Sequence, residues 1–158
     1  MASISPQEFK RRIQKAQREI EEQRKPFVLR MLLDAIAIIK RRVQTSGTNS
    51  EGKPFAPYNP IYAIRGRQEK GFQSSFVDFT RTGRLWASII PKIVDEKDGT
   101  TTGEIGARDR ENQEKVNGAF KKRGNILRPT KAETDIIQKA NNLRVQRIIE
   151  SVFEWLIP

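Results

Sequence analysis

Apolar positions near the start of the chain recur with a helical period. Phe9, Ile13, Ala16 and Ile20 are spaced by 4, 3 and 4 positions, which places them on one narrow helix face. Lys, Arg, Gln and Glu fill the remaining positions. Ser5-Pro6-Gln7-Glu8 supplies a start signal: a serine cap, a proline at the first helical position and a glutamate closing a capping box. Pro26 predicts a break or kink, because a helix-interior proline lacks an N–H and crowds the preceding turn. A second, more apolar helix is expected over 27–44, so the N-terminal part forms a helix pair. The polar run 45–50, TSGTNS, ends it.

From 51 to about 81 neither the helical nor the strand period persists. Prolines, glycines and the basic turn Arg65-Gly66-Arg67 interrupt it. An irregular stretch of this length is uncommon in a compact domain unless it is functional or ordered by a partner. Thr82 and Gly83 form a structural turn capping the next element, which starts as a helical turn at Arg84. Residues 89–94 and 100–107 are β-prone around a turn-rich Asp95–Gly99, predicting an antiparallel hairpin with a five-residue loop. Pro91 then belongs at an edge or bulge.

The segment 112–125 is polar, with Asn117-Gly118 and the cluster Lys121-Lys122-Arg123-Gly124, and is expected to be a loop. A last helix starts at Thr130, where Thr130 and Glu133 form a second capping box after Pro129. Ile136, Ile137, Ala140, Leu143, Ile148, Ile149, Val152, Phe153 and Leu156 give it an apolar face. The expected class is α+β in one domain, 1–158: a helical part (1–45), an extended arm (51–81), and a β-hairpin with a C-terminal helix (82–158).

Composition narrows the chemistry. The 158 residues include 36% hydrophobic and 31% charged positions, so the core is thin and the chain gains from burying surface against copies or partners. There are no cysteines and no histidines. Disulfides, thiolate or imidazole metal sites, and Cys- or His-dependent catalysis are therefore excluded. No enzyme and no cofactor is expected. Asp78 and Glu104 are conceivable bases, but no motif places a second group beside either. The run 27–39, with Arg30 and Asp34 inside it, is too short and too charged for a bilayer, which needs about 20 apolar residues. No apolar leader is visible, and no membrane contact is expected.

The formal charge is +11, with its largest excess in residues 1–50, which favours anionic partners. Lys121, Lys122 and Arg123 are candidate contacts to DNA or phosphate, weighed against a plain exposed loop. Lys10, Arg11, Arg12, Lys15 and Arg18 share the first helix with Glu19, Glu21 and Glu22, which favours a mixed-charge surface. Asp95, Glu96 and Asp98 lack calcium-loop spacing and suit a solvated turn. Half of the twelve aromatics lie between Phe55 and Phe79. Pro54, Phe55, Pro57, Tyr58, Tyr62, Phe72 and Phe76 are candidate subunit-interface residues, the competing expectation being a loop anchored on its own core.

Three phrases in order carry a resemblance. They are Gly52-Lys53-Pro54-Phe55-Ala56-Pro57-Tyr58 with Tyr62, then Phe79-Thr80-Arg81-Thr82-Gly83-Arg84-Leu85-Trp86-Ala87-Ser88-Ile89, then Leu127-Arg128-Pro129-Thr130. The set resembles the Mu-type virion morphogenesis proteins and related head–tail connector or tail-completion proteins of tailed phages, over about residues 35–150. The resemblance implies a structural protein of the virion neck, made in the host cytoplasm. It implies a homo-oligomeric ring, a hexamer or dodecamer, partnered by portal, neck or tail proteins, with non-specific DNA contact in the lumen if basic residues face it. The alternative is a small basic nucleic-acid-binding protein of DNA packaging or regulation.

Overall fold

The computed structural model describes residues 5–156, with side chains through Ser151. Val152, Phe153 and Leu156 of the expected apolar face therefore lie outside the described side chains. The architecture is α+β. A long N-terminal helix carries a two-stranded antiparallel sheet, and a C-terminal helix packs against it.

Helix α1 spans Pro6–Ser46 without interruption. Ser5 Oγ accepts the Glu8 N–H at 3.2 Å, half of the expected capping box, while the Glu8 carboxylate takes Arg11 and Arg12 instead of the Ser5 N–H. Gly47, at φ 60°, ends the helix by donating its N–H to Val43 O. The expected pair of helices is thus one helix with Pro26 inside it. Packing after Pro26 offsets its cost, since Val28 and Leu32 press against Gly103; the exposed Lys25–Glu96 pair at 3.3 Å before it adds little. A Cβ at Gly103 would stand 2.6 Å from Leu32 Cδ1, so the absent side chain is what lets the sheet lie on the helix.

Strands β1 (Ile89–Lys97) and β2 (Thr100–Ala107) pair from Ile89 opposite Ala107 to Lys97 opposite Thr100. The turn is the two residues Asp98-Gly99, both at positive φ (47° and 73°), rather than the expected five-residue loop. Two residues with φ > 0 match the twist of paired strands, so pairing extends through Asp95, Glu96 and Lys97. A bulge between Ile93 and Asp95 absorbs the extra residue. Pro91 pairs opposite Ile105 in a sheet whose strands each keep a free edge.

Short helix α2 (Arg84–Ser88) precedes β1, and α3 (Arg110–Arg123) follows β2. The expected loop at 112–125 is therefore largely helical. Asp109 caps α3 by accepting the Asn112 N–H at 2.9 Å. Only Val116 and Ala119 are buried. That stripe is too narrow to stand out in a polar segment.

Helix α4 (Lys131–Leu156) runs antiparallel to α1. Two ion pairs bind the helices: Arg42 with Glu133 at 3.0 Å, and Arg144 with Asp34. Glu133 closes the capping box as well, accepting the Thr130 N–H at 2.7 Å. The core gathers around Ile39 and Val43 of α1, with Val77, Trp86, Ile89, Val116 and Ile126.

Candidate functional site

The arm begins as a strap on its own body. Thr48 bridges to Pro54, and the Phe55 N–H donates to Gly47 O at 2.8 Å. Phe55 is 6% exposed and sits in the core, its ring edge-on to Phe79 at 5.6 Å. This corrects the expectation that Phe55 is an interface residue. In a thin core the nearest apolar surface is the protein's own, and one proline-stiffened turn brings Phe55 to it.

Tyr58 and Tyr62 are half-buried and meet edge to face at 5.4 Å. Phe76 is likewise half-buried, against Gly47. Of the proposed interface set, Pro54, Pro57 and Phe72 face outward. Thr82 and Gly83 form the expected turn: Gly83 has φ 69°, and its carbonyl accepts the Ala87 N–H at 3.0 Å.

After Tyr58 the chain makes a helical turn of wide, π-type pitch over Tyr62–Arg67, then a 3-10 turn over Gln68–Lys70. These turns carry Arg67 into the interior, where its side chain is 1% exposed. Arg67 Nη2 donates to both oxygens of Asp78 at 2.9 Å, and its Nε donates to Gln73 O. The Tyr58 hydroxyl donates to Asp78 Oδ1 at 3.0 Å, and the Thr80 N–H does so at the same distance. Trp86 Nε1 donates to the Asp78 carbonyl at 3.1 Å. The Arg67 guanidinium also lies 4.7 Å from the centre of the Tyr58 ring.

This knot explains how an aperiodic segment holds one shape. Burial pushes the Asp78 carboxyl up, but the donors of Thr80, Gln73 and Tyr58 outweigh it and hold the group below its ordinary value. Burial is also the main reason the Tyr58 hydroxyl is raised. Asp78, a conceivable base by sequence, spends both oxygens on these donors and serves as a structural post. Glu104 stands exposed in β2 opposite Lys92.

Beyond the knot a cleft of about 660 Å³ opens between the arm and α3. Arg81 and Arg84 stand on the arm side, and Lys115, Lys122 and Arg123 on the α3 side. Tyr58, Tyr62 and Phe79 line it between them, and among the described residues no carboxylate does. The structure therefore brings two members of the predicted basic cluster together with Arg81, Arg84 and Lys115, which sequence patterning did not single out as contacts. Lys121, the third member, is exposed and does not line the cleft. The two arginines of the phrase Arg81-Thr82-Gly83-Arg84 were the available signal. Their convergence with α3 required a helix that the polar sequence concealed.

Comparisons with protein-family models, with curated proteins and with solved structures find no match. The resemblance to phage morphogenesis proteins accordingly rests on the ordered sequence phrases. Among the described residues no helix is long and apolar enough to cross a membrane.

Proposed function

We propose that this chain is a structural virion protein of a tailed phage, forming or completing a ring at the head–tail junction. The observation that carries the reading is an apolar stripe on α1 that is exposed on either side of the buried Ala16. Phe9, Ile13 and Ile20 share one helix face and are 48%, 36% and 42% exposed. On α4, Ile136 and Leu143, one heptad apart, are 59% and 52% exposed. Scattered apolar residues on a surface are ordinary, but a stripe with helical period is the form an assembly contact takes. Copies joined head to tail through such contacts close into a ring when the rotation between neighbours permits.

Light scattering coupled to size exclusion tests this on the full chain. The parent is expected to run as an oligomer. Ile13→Glu with Ile20→Glu is expected to give a folded monomer, because neither side chain is part of the core. A parent that stays monomeric at every concentration, with the same circular dichroism as the variant, overturns the reading. The alternative, a small basic nucleic-acid-binding protein of packaging or regulation, is favoured by one observation, the cleft lined by six cations and three aromatic rings.

A further inference from the structure

We propose that the cleft between the arm and α3 is a binding site for the phosphate backbone of a nucleic-acid strand, with Arg81, Arg84, Lys122 and Arg123 as its contacts. The inference does not depend on the chain forming a ring.

Two arginines on opposite walls are held in place without being neutralised. The Arg81 guanidinium lies 5.7 Å from the centre of the Tyr62 ring, and that of Arg123 lies 5.8 Å from the centre of Phe79. An aromatic face orients a guanidinium but leaves it its full charge, whereas a carboxylate partner would cancel it. Among the described residues no carboxylate pairs with Arg81, Arg84, Lys122 or Arg123, and none lines the cleft. Lys115 differs, since it is paired with Glu111. Surface cations of this chain otherwise often take acidic neighbours, as Arg11 and Arg12 do with Glu8 and Arg110 does with Glu114. What sets these four apart is not that they are unpaired but that they share one concavity.

Arg123 Nε is also buried without a hydrogen-bond partner. A buried donor left unsatisfied has a cost, and in a native fold it asks for an explanation. Small rotation of the side chain toward the cleft would give that donor an oxyanion to meet. Arg81 and Arg123 each lie over one face of the Tyr62 and Phe79 rings, which leaves the guanidinium groups rather than those faces to meet a ligand. Recognition is therefore of phosphate, by planar donors suited to two oxygens at once, and is independent of base sequence. An acidic protein segment is less suited, because arginine forks spread over two walls match the regular repeat of charges along a backbone.

Fluorescence anisotropy with labelled duplexes of ~20 base pairs and unrelated sequences reads the expected effect as a salt slope. Four phosphate contacts give a slope of log K on log salt near −3.6, or a loss of about 150-fold from 50 to 200 mM. Arg81→Gln, Arg84→Gln and Lys122→Gln together are expected to bring the slope to about −1. All three side chains are exposed, so the fold is expected to survive, and circular dichroism checks it. A charge-matched control, with Lys10, Arg18 and Lys139 changed to Gln, is expected to keep most of the slope. Both duplex sequences should bind alike. Equal loss in the two triple variants overturns the site. Preferential binding of polyglutamate, or of a free mononucleotide as tightly as the duplex, overturns the proposed ligand.

Discussion

Replacing Asp78 by Asn keeps the shape of the side chain and removes the charge at the centre of the arm. In the parent one carboxylate accepts Arg67 Nη2 on both oxygens at 2.9 Å, and the Tyr58 hydroxyl and Thr80 N–H at 3.0 Å each. It also accepts the Thr80 hydroxyl on Oδ2. Asparagine offers one acceptor oxygen, so in either orientation some of these donors face an amide NH₂. Arg67, 1% exposed, keeps its charge and loses its counter-charge. Breaking a buried pair from one side costs about 3–5 kcal/mol. For a chain of this size that is a fall in Tm of roughly 6–20 °C. The pH dependence has a definite sign. Because the folded Asp78 carboxyl lies below its ordinary value of 3.8, its stabilisation is complete above that value and is lost as pH falls through the depressed one. The gap between parent and variant is therefore widest near neutrality and closes on acidification. Urea and thermal unfolding followed by circular dichroism, at neutral pH and in acid steps, measure both effects. An Asp78→Asn protein within about 1 kcal/mol of the parent at neutrality, well below the buried-pair cost, or a gap that ignores pH, would refute the reasoning.

Two further perturbations separate backbone from packing effects. Gly47 and Gly83 both have positive φ, but an added Cβ meets Phe76 at 2.6 Å in the first and nothing within 4 Å in the second. Gly83→Ala should cost about 1–2 kcal/mol for the left-handed conformation alone. Gly47→Ala should add about 1–3 kcal/mol of overpacking to that, and equal urea midpoints for the two would contradict the geometry. Pro26→Ala should stabilise the protein by up to about 3 kcal/mol, since Pro26 sits exposed inside a continuous helix. A loss of stability would contradict the reading that Pro26 only costs the helix a hydrogen bond.

Local signals carried much of the architecture. The capping box at Thr130 formed as expected and Ser5 caps α1, because such bonds are satisfied within four residues. The Glu8 carboxylate turns to Arg11 and Arg12 rather than closing its box. The hairpin was legible from its β-prone strands. Its turn is shorter than the five-residue loop expected because Asp98 takes positive φ without being glycine, which lets pairing continue through charged residues. Pro26 failed as a breaker since propensity is weighed against packing. Two halves of α1 held by the sheet and α4 tolerate one missing hydrogen bond.

By itself the sequence determined the α+β class, the caps, and the absence of thiol and imidazole chemistry. These depend on residue identity and on spacing within a turn or two. Only the tertiary structure decided that α3 is a helix, that Phe55 belongs to the core, and that Arg67 finds Asp78 eleven residues on. It alone placed Arg81 and Arg84 across a cleft from Lys122 and Arg123. Such contacts join segments far apart in the chain, where burial and charge pairing choose between partners that local patterning leaves equivalent.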